Sequence, residues 1–171
     1  MKRIVPALTA LSLVVISPQL CRAADPPQQD VVRERSADVM PFQMEATTHI
    51  FTKTPTGGVQ RVVAKDAKDE EQIELVRAHL KEIAHTFSRG DFSAPAHVHG
   101  AAMPGLATLQ SAGAGALKIR YNDVKAGAEI RYSSENPKIV SALHGWFDAQ
   151  LTDHGPDAMQ GHDHSMMYHD Q

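Results

Sequence analysis

Twice along the 171 residues, two short strand-like runs are followed by one long helical run, and this recurrence restricts the architecture more than any other property of the chain. In the first instance Thr47-Thr48-His49-Ile50-Phe51-Thr52 is rich in β-branched and aromatic residues. Pro55-Thr56-Gly57-Gly58 carries turn chemistry, and Val59-Gln60-Arg61-Val62-Val63 resumes the strand pattern, so the segment predicts a hairpin. Asp66 or Asp69 can then cap a helix whose apolar residues Ile73, Val76, Leu80, Ile83 and Phe87 step by three and four and stop before Gly90. In the second instance Leu117-Lys118-Ile119-Arg120-Tyr121 and Ala128-Glu129-Ile130-Arg131-Tyr132 form the hairpin around Lys125-Ala126-Gly127. Asn136 stands where an N-cap belongs, Pro137 suits the first helical position, and Ile139, Val140, Leu143, Trp146, Phe147 and Leu151 make the buried face of the helix. The expected fold class is α+β: two ββα units whose hairpins join into one four-stranded antiparallel sheet, with two helices on one face. Superposing Leu75-Val76-Arg77-Ala78-His79 on Val140-Ser141-Ala142-Leu143-His144 brings two helical histidines to equivalent places, as an internal repeat would. The Ala/Gly/Pro-rich stretch 92–115 between the units reads as a loop with a short helix after Pro104.

The length suits one modest domain. Residues 1–23 read as an export signal: a basic Met1-Lys2-Arg3, an apolar run from Ile4 to Ile16, and small residues spaced for cleavage after Ala23. That run falls short of the ~18 apolar residues a spanning helix needs, and no later segment approaches it. Residues 24–45, polar and containing Pro26-Pro27, read as a flexible leader, 46–153 as the single domain and 154–171 as a separate tail. Cleavage removes Cys21, the one cysteine, unless that residue is a lipid-attachment site, for which Pro18-Gln19-Leu20 is a poor match; the exported chain then has no thiol for disulfides, zinc–thiolate sites, iron–sulfur clusters or a cysteine nucleophile. It also removes three basic residues and takes the formal charge from −3 to about −6, a balance that disfavours nucleic acid as a partner.

The tail is the most unusual segment, with four histidines and three methionines in the final 18 residues and almost no apolar residue able to build a core. Its candidate ligands are His154, Met159, His162, His164, Met166, Met167 and His169. Neutral imidazole binds Cu(II), Zn(II) and Ni(II), whereas the soft thioether of methionine selects Cu(I), so the mixture points to copper, with zinc as the other metal the imidazoles suit. An exported carrier has reason to use methionine in place of the readily oxidised thiol. His97, His99 and Met103, in the central stretch, offer the same ligand types on a segment anchored at both ends, against the alternative that one histidine and Met103 simply pack into the core.

His79 and His144 each flank an apolar helical stripe and read as partly buried, hydrogen-bonded residues. His85 sits opposite the apolar face of its helix and His49 lies mid-strand, and the sequence assigns neither a role. Met40 and Met44 could add thioethers to a copper site, though a Met pair around Pro41-Phe42 more often packs against a domain. A serine elbow, an H-E-x-x-H helix and a phosphate loop are all missing.

Two resemblances bear on these readings. Asp163-His164-Ser165-Met166-Met167 resembles the Asp-His-Ser-Met repeats of exported copper-resistance proteins of Gram-negative bacteria, a likeness confined to the tail. The body from His49 to Asp157 resembles a family of small exported bacterial proteins, largely uncharacterised, through Gly57-Gly58-Val59-Gln60-Arg61-Val62-Val63, Gly90-Asp91-Phe92, His99-Gly100 with Met103-Pro104-Gly105-Leu106, and Trp146-Phe147-Asp148-Ala149-Gln150 through Asp153-His154-Gly155. Some members bear the name aspartate carbamoyltransferase. That enzyme's two α/β domains need roughly twice this length, and Phe87-Ser88-Arg89-Gly90 is no substitute for its Ser-Thr-Arg-Thr phosphate segment.

The functional expectation is a periplasmic copper-binding protein that sequesters the metal or delivers it to another periplasmic copper protein. The competing class is an exported enzyme or small-ligand module with a site near His79, His99 and His144. Convergence of those three histidines in one concave pocket would favour the second.

Overall fold

A computed structural model describes residues 27–162. Its elements in chain order are α1 (Gln28–Ser36), β1 (Thr47–Thr54), β2 (Gly57–Ala64), α2 (Glu70–Ser88), α3 (Ser93–His99), α4 (Leu106–Ala112), β3 (Lys118–Val124), β4 (Gly127–Ser133), α5 (Pro137–His154) and β5 (Ala158–Gln160). The class is α+β. The sheet has the order β3-β4-β2-β1-β5, with the two hairpins joined antiparallel through β2 and β4. The four-stranded, wholly antiparallel sheet with two helices expected from the sequence is thus corrected, among the described residues, to a mixed five-stranded sheet with five α-helices. The extra strand arises where α5 ends at Gly155, whose φ of +54° turns the chain back so that Ala158–Gln160 runs parallel to His49–Phe51.

The helix ends follow the capping chemistry. The Asp69 carboxylate accepts from the Gln72 amide at 3.1 Å and the Asn136 side chain from the Lys138 amide at 3.0 Å, so each satisfies a backbone N–H that the first helical turn leaves without a partner. Strand alternation turns His49, Phe51, Gln60, Val62, Ile130 and Tyr132 toward the helices. Against them pack Val76, Leu80 and Phe87 of α2 and Leu143, Trp146 and Phe147 of α5, in one continuous core. On the opposite face the buried Glu129 carboxylate accepts from Arg61 at 2.7 Å and from Arg131 at 2.9 Å.

Two segments differ from their sequence reading. Part of the expected leader is folded: α1 buries Val32 (1% exposed), and Phe42 and Met44 enter the main core. These isolated apolar residues are too few to show a period, and they are stabilised by a surface that long-range packing supplies. Likewise 93–99 is a helix, ended by Gly100 at φ +90°. No described helix is long and apolar enough to cross a membrane.

Candidate functional site

Four histidines from four elements line one small cavity of ≈ 40 Å³: His49 of β1, His79 of α2, His99 at the end of α3 and His154 at the end of α5. Strand alternation explains His49, which points inward between Thr47 and Phe51. His79 lies one turn from Val76 and Ile83 on the buried side of α2. The His49 and His154 rings stack at 4.7 Å, and His99 meets His154 edge to face at 5.1 Å. The Phe42 ring lies 5.5 Å from His79 and 5.8 Å from His49. The thioether-bearing Met40 also lines the cavity, and among the described residues its wall contains no Asp, Glu, Lys or Arg.

Two of the imidazoles are oriented by hydrogen bonds to residues of α5. His99 Nδ1–H donates to Asp153 Oδ2 at 2.8 Å, and His154 Nε2–H donates to Gln150 Oε1 at 2.9 Å. Each bond fixes a tautomer and leaves the opposite ring nitrogen with a free lone pair. His154 Nδ1 and both ring nitrogens of His49 are buried with no hydrogen-bond partner among the described residues, and the Trp146 indole N–H beside them is equally unpartnered. Such buried orphans are uncommon, because an unsatisfied polar group forfeits its hydration without return.

Burial keeps all four rings neutral at ordinary pH. It lowers His49 to about 3 and His79 to about 4, and holds His154 well below the usual imidazole value. His99 is lowered by the same cause, with the Asp153 carboxylate pulling the other way. Neutral imidazole is the form that ligates metal. Among the described residues, however, no three His, Asp or Glu side chains are grouped so as to hold a metal ion.

The candidate ligands read from the sequence are dispersed by the fold. His154, expected in a separate tail, closes α5 and is 4% exposed. Met159 lies on β5 and is 52% exposed, and His162 is exposed. His164, Met166, Met167 and His169 lie outside the described residues. The helical geometry of α3 separates His97 from His99: two residues on a helix are about 200° apart, so His99 is buried while His97 is exposed beside Asp38 at 3.4 Å. Met103 is buried in the core and does not line the cavity. Of the three histidines of the competing reading, His79 and His99 share the cavity. His144 instead donates from Nε2 to the Gly57 carbonyl at 2.8 Å, securing the β1–β2 turn, so the suggested equivalence of His79 and His144 does not extend to their surroundings.

The principal residue that sequence reasoning missed is His49. Its inward phase was legible from Phe51 two positions on, but its partners arrive from 30 to 105 residues away. The helical triplet Gln150, Asp153 and His154 did carry a local signal, because its i, i+3 and i+4 spacing puts an imidazole and two acceptors on one side of a helix end. No family model, curated protein or solved structure matches the chain.

Proposed function

We propose that this is an exported, periplasmic copper-binding protein that sequesters the metal or hands it to another periplasmic copper protein. In this reading the buried histidine cluster is an internal site and the His/Met-rich tail an outer collector. The observation that carries it is the pairing of orienting partners with free lone pairs. Asp153 on His99 Nδ1 and Gln150 on His154 Nε2 each engage one ring nitrogen, as the supporting groups of metal-bound histidines do, while His154 Nδ1 and the His49 nitrogens lack partners among the described residues. Met40 on the same wall adds the soft donor that favours copper over zinc.

The cavity size weighs against the small-ligand alternative. A space of ≈ 40 Å³ suits an ion or a water molecule, whereas sites for organic ligands run to about 300 Å³ or more. The test is equilibrium titration of the purified full-length chain with Cu(I), Cu(II) and Zn(II). At least one equivalent of copper should bind, and Asp153→Asn should weaken it about 10- to 100-fold, the usual effect of losing such a supporting partner. A chain that takes up no copper would overturn the reading.

A further inference from the structure

We infer that the outer edge of β3 is a docking site for an extended acidic peptide segment, which adds to the sheet as a further strand beside α2. This surface is separate from the histidine cavity and shares no lining residue with it. The first observation is the contrast between the two edges of the sheet. At one edge the chain covers β1 with its own β5, Ala158–Gln160. At the other, β3 is paired with β4 along Lys118–Val124 and has no strand on its outer side among the described residues. Alternate residues of β3 therefore point their N–H and C=O groups away from β4, and such a row is a template for an added strand. The second observation is the ground beside that edge. A shallow groove of ≈ 430 Å³ lies between β3 and α2, lined by Arg77, Ala78 and Lys81 of the helix and by Tyr121, Asn122 and Asp123 of the strand. Arg77 holds the end of the hairpin, donating to the Val124 carbonyl at 2.9 Å and to the Gly127 carbonyl at 3.2 Å. The Tyr121 hydroxyl donates to Asp123 Oδ1 at 2.6 Å, and the Asp123 carboxylate lies 3.7 Å from Arg77. With Asp123 so engaged, the charge the groove offers a ligand is the exposed Lys81 ammonium.

The third observation is the placement of charge along the strand. Ile119 and Tyr121 stand opposite the buried Tyr132 and Ile130 on the helix side of the sheet, so Lys118, Arg120 and Asn122 face the other way. Arg120 is directly opposite Arg131, whose guanidinium donates to Glu129 at 2.9 Å, and Arg120 itself has no ion pair among the described residues. Like charges at opposed positions destabilise a sheet, and a carboxylate on the next strand out offsets that repulsion. The incoming segment that fits therefore alternates, with acidic side chains beside Lys118 and Arg120 and apolar ones against Ala78 and Tyr121. A second copy of this chain fits worse, because pairing β3 with itself brings two basic edges together.

The test measures fluorescence anisotropy of labelled peptides of about eight residues, a strand's length, against the full-length chain. One peptide alternates valine with glutamate, a second alternates valine with lysine, and two more are the glutamate peptide methylated at one or the other alternate set of backbone nitrogens. The glutamate peptide should bind, and the lysine peptide should bind at least about 10-fold more weakly. Methylation of one set should abolish binding and methylation of the other should not, since only every second N–H of an added strand faces β3. Arg120→Glu should weaken the glutamate peptide about 10-fold. That variant relieves a like-charge pair and so keeps the fold, and Lys81→Glu, at an exposed position of α2, gives a second charge reversal. Hydrogen exchange at alternate β3 amides should slow in the complex. Equal binding of the lysine peptide, indifference to both methylations, or no binding of the glutamate peptide at about 1 mM would overturn the proposal. A concentration-dependent dimer with β3 amides already protected would overturn it too, because a second copy would then hold the edge.

Discussion

Acidifying the metal-free protein from pH 7 to pH 5 should cost about 4 kcal/mol of folding stability through His49 and His79 together, a large share of the ~5–15 kcal/mol typical of a domain. The sign follows from the direction of the perturbation. Burial lowers His49 to about 3 and His79 to about 4, against 6.5 for a free imidazole. The unfolded chain therefore takes up protons that the native chain refuses. The stability these residues contribute is complete above pH 6.5 and is lost as the pH falls toward 4 for His79 and 3 for His49. At pH 5, about 1.5 pH units below the unfolded value, each costs about 2 kcal/mol at 1.36 kcal/mol per unit. His154, lowered in the same direction by burial, adds to the loss. Urea denaturation of chelator-treated protein at intervals between pH 7.5 and pH 5 measures the effect through the linear extrapolation. His79→Leu should flatten the profile by about 2 kcal/mol, the share of one buried imidazole. A wild-type stability constant to within about 1 kcal/mol across that range would mean that the native cluster charges freely and that these rings are not sealed from water.

Other outcomes follow from single contacts. Leu80, 1% exposed in the core, should lose about 2–5 kcal/mol on substitution by alanine, measured by urea denaturation at pH 7.5. His144→Ala should cost about 1–2 kcal/mol by removing the donor to the Gly57 carbonyl, while leaving the stoichiometry of copper binding unchanged. Gly105→Ala should lower the melting temperature sharply, because a Cβ there would collide with the Ala142 carbonyl of α5 and the backbone sits at φ +77°. Val32→Asp should destabilise the whole domain, as judged by loss of the cooperative thermal transition, since it places a carboxylate at a site 1% exposed.

The parts of the fold that were legible in the sequence are those specified within about 20 residues. The apolar stride from Ile73 to Phe87, the Asp69 and Asn136 caps and the two hairpins are local statements, and each appears where its chemistry puts it. The parts that were not legible depend on distant surfaces. Val32 and Phe42 sit in a polar stretch and are buried only because α3, α5 and the sheet edge provide a surface for them. β5 has three residues, too few for a period, and it becomes a strand because His49–Phe51 presents an unpaired edge as the chain leaves α5.

The same contrast separates the two histidine-containing regions. Density of His and Met drew attention to the tail, yet density gives no information on whether nitrogens converge, and the fold assigns His154 to a helix end and His162 to solvent. The four rings at one cavity come from four elements, each contributing one imidazole for its own local reason: strand phase for His49, helix phase for His79, and helix termini for His99 and His154. Histidine is an unfavourable residue to bury without a partner, since the core loses stability on acidification and gains no packing that leucine would not supply. Four at one cavity therefore weigh more than the crowded tail. If they serve only packing, replacing His49 and His154 together by leucine should raise the stability of metal-free protein at pH 5. If they are ligands, the same change should raise that stability and reduce copper binding by the full-length chain, so the titration separates the two uses where the stability measurement does not.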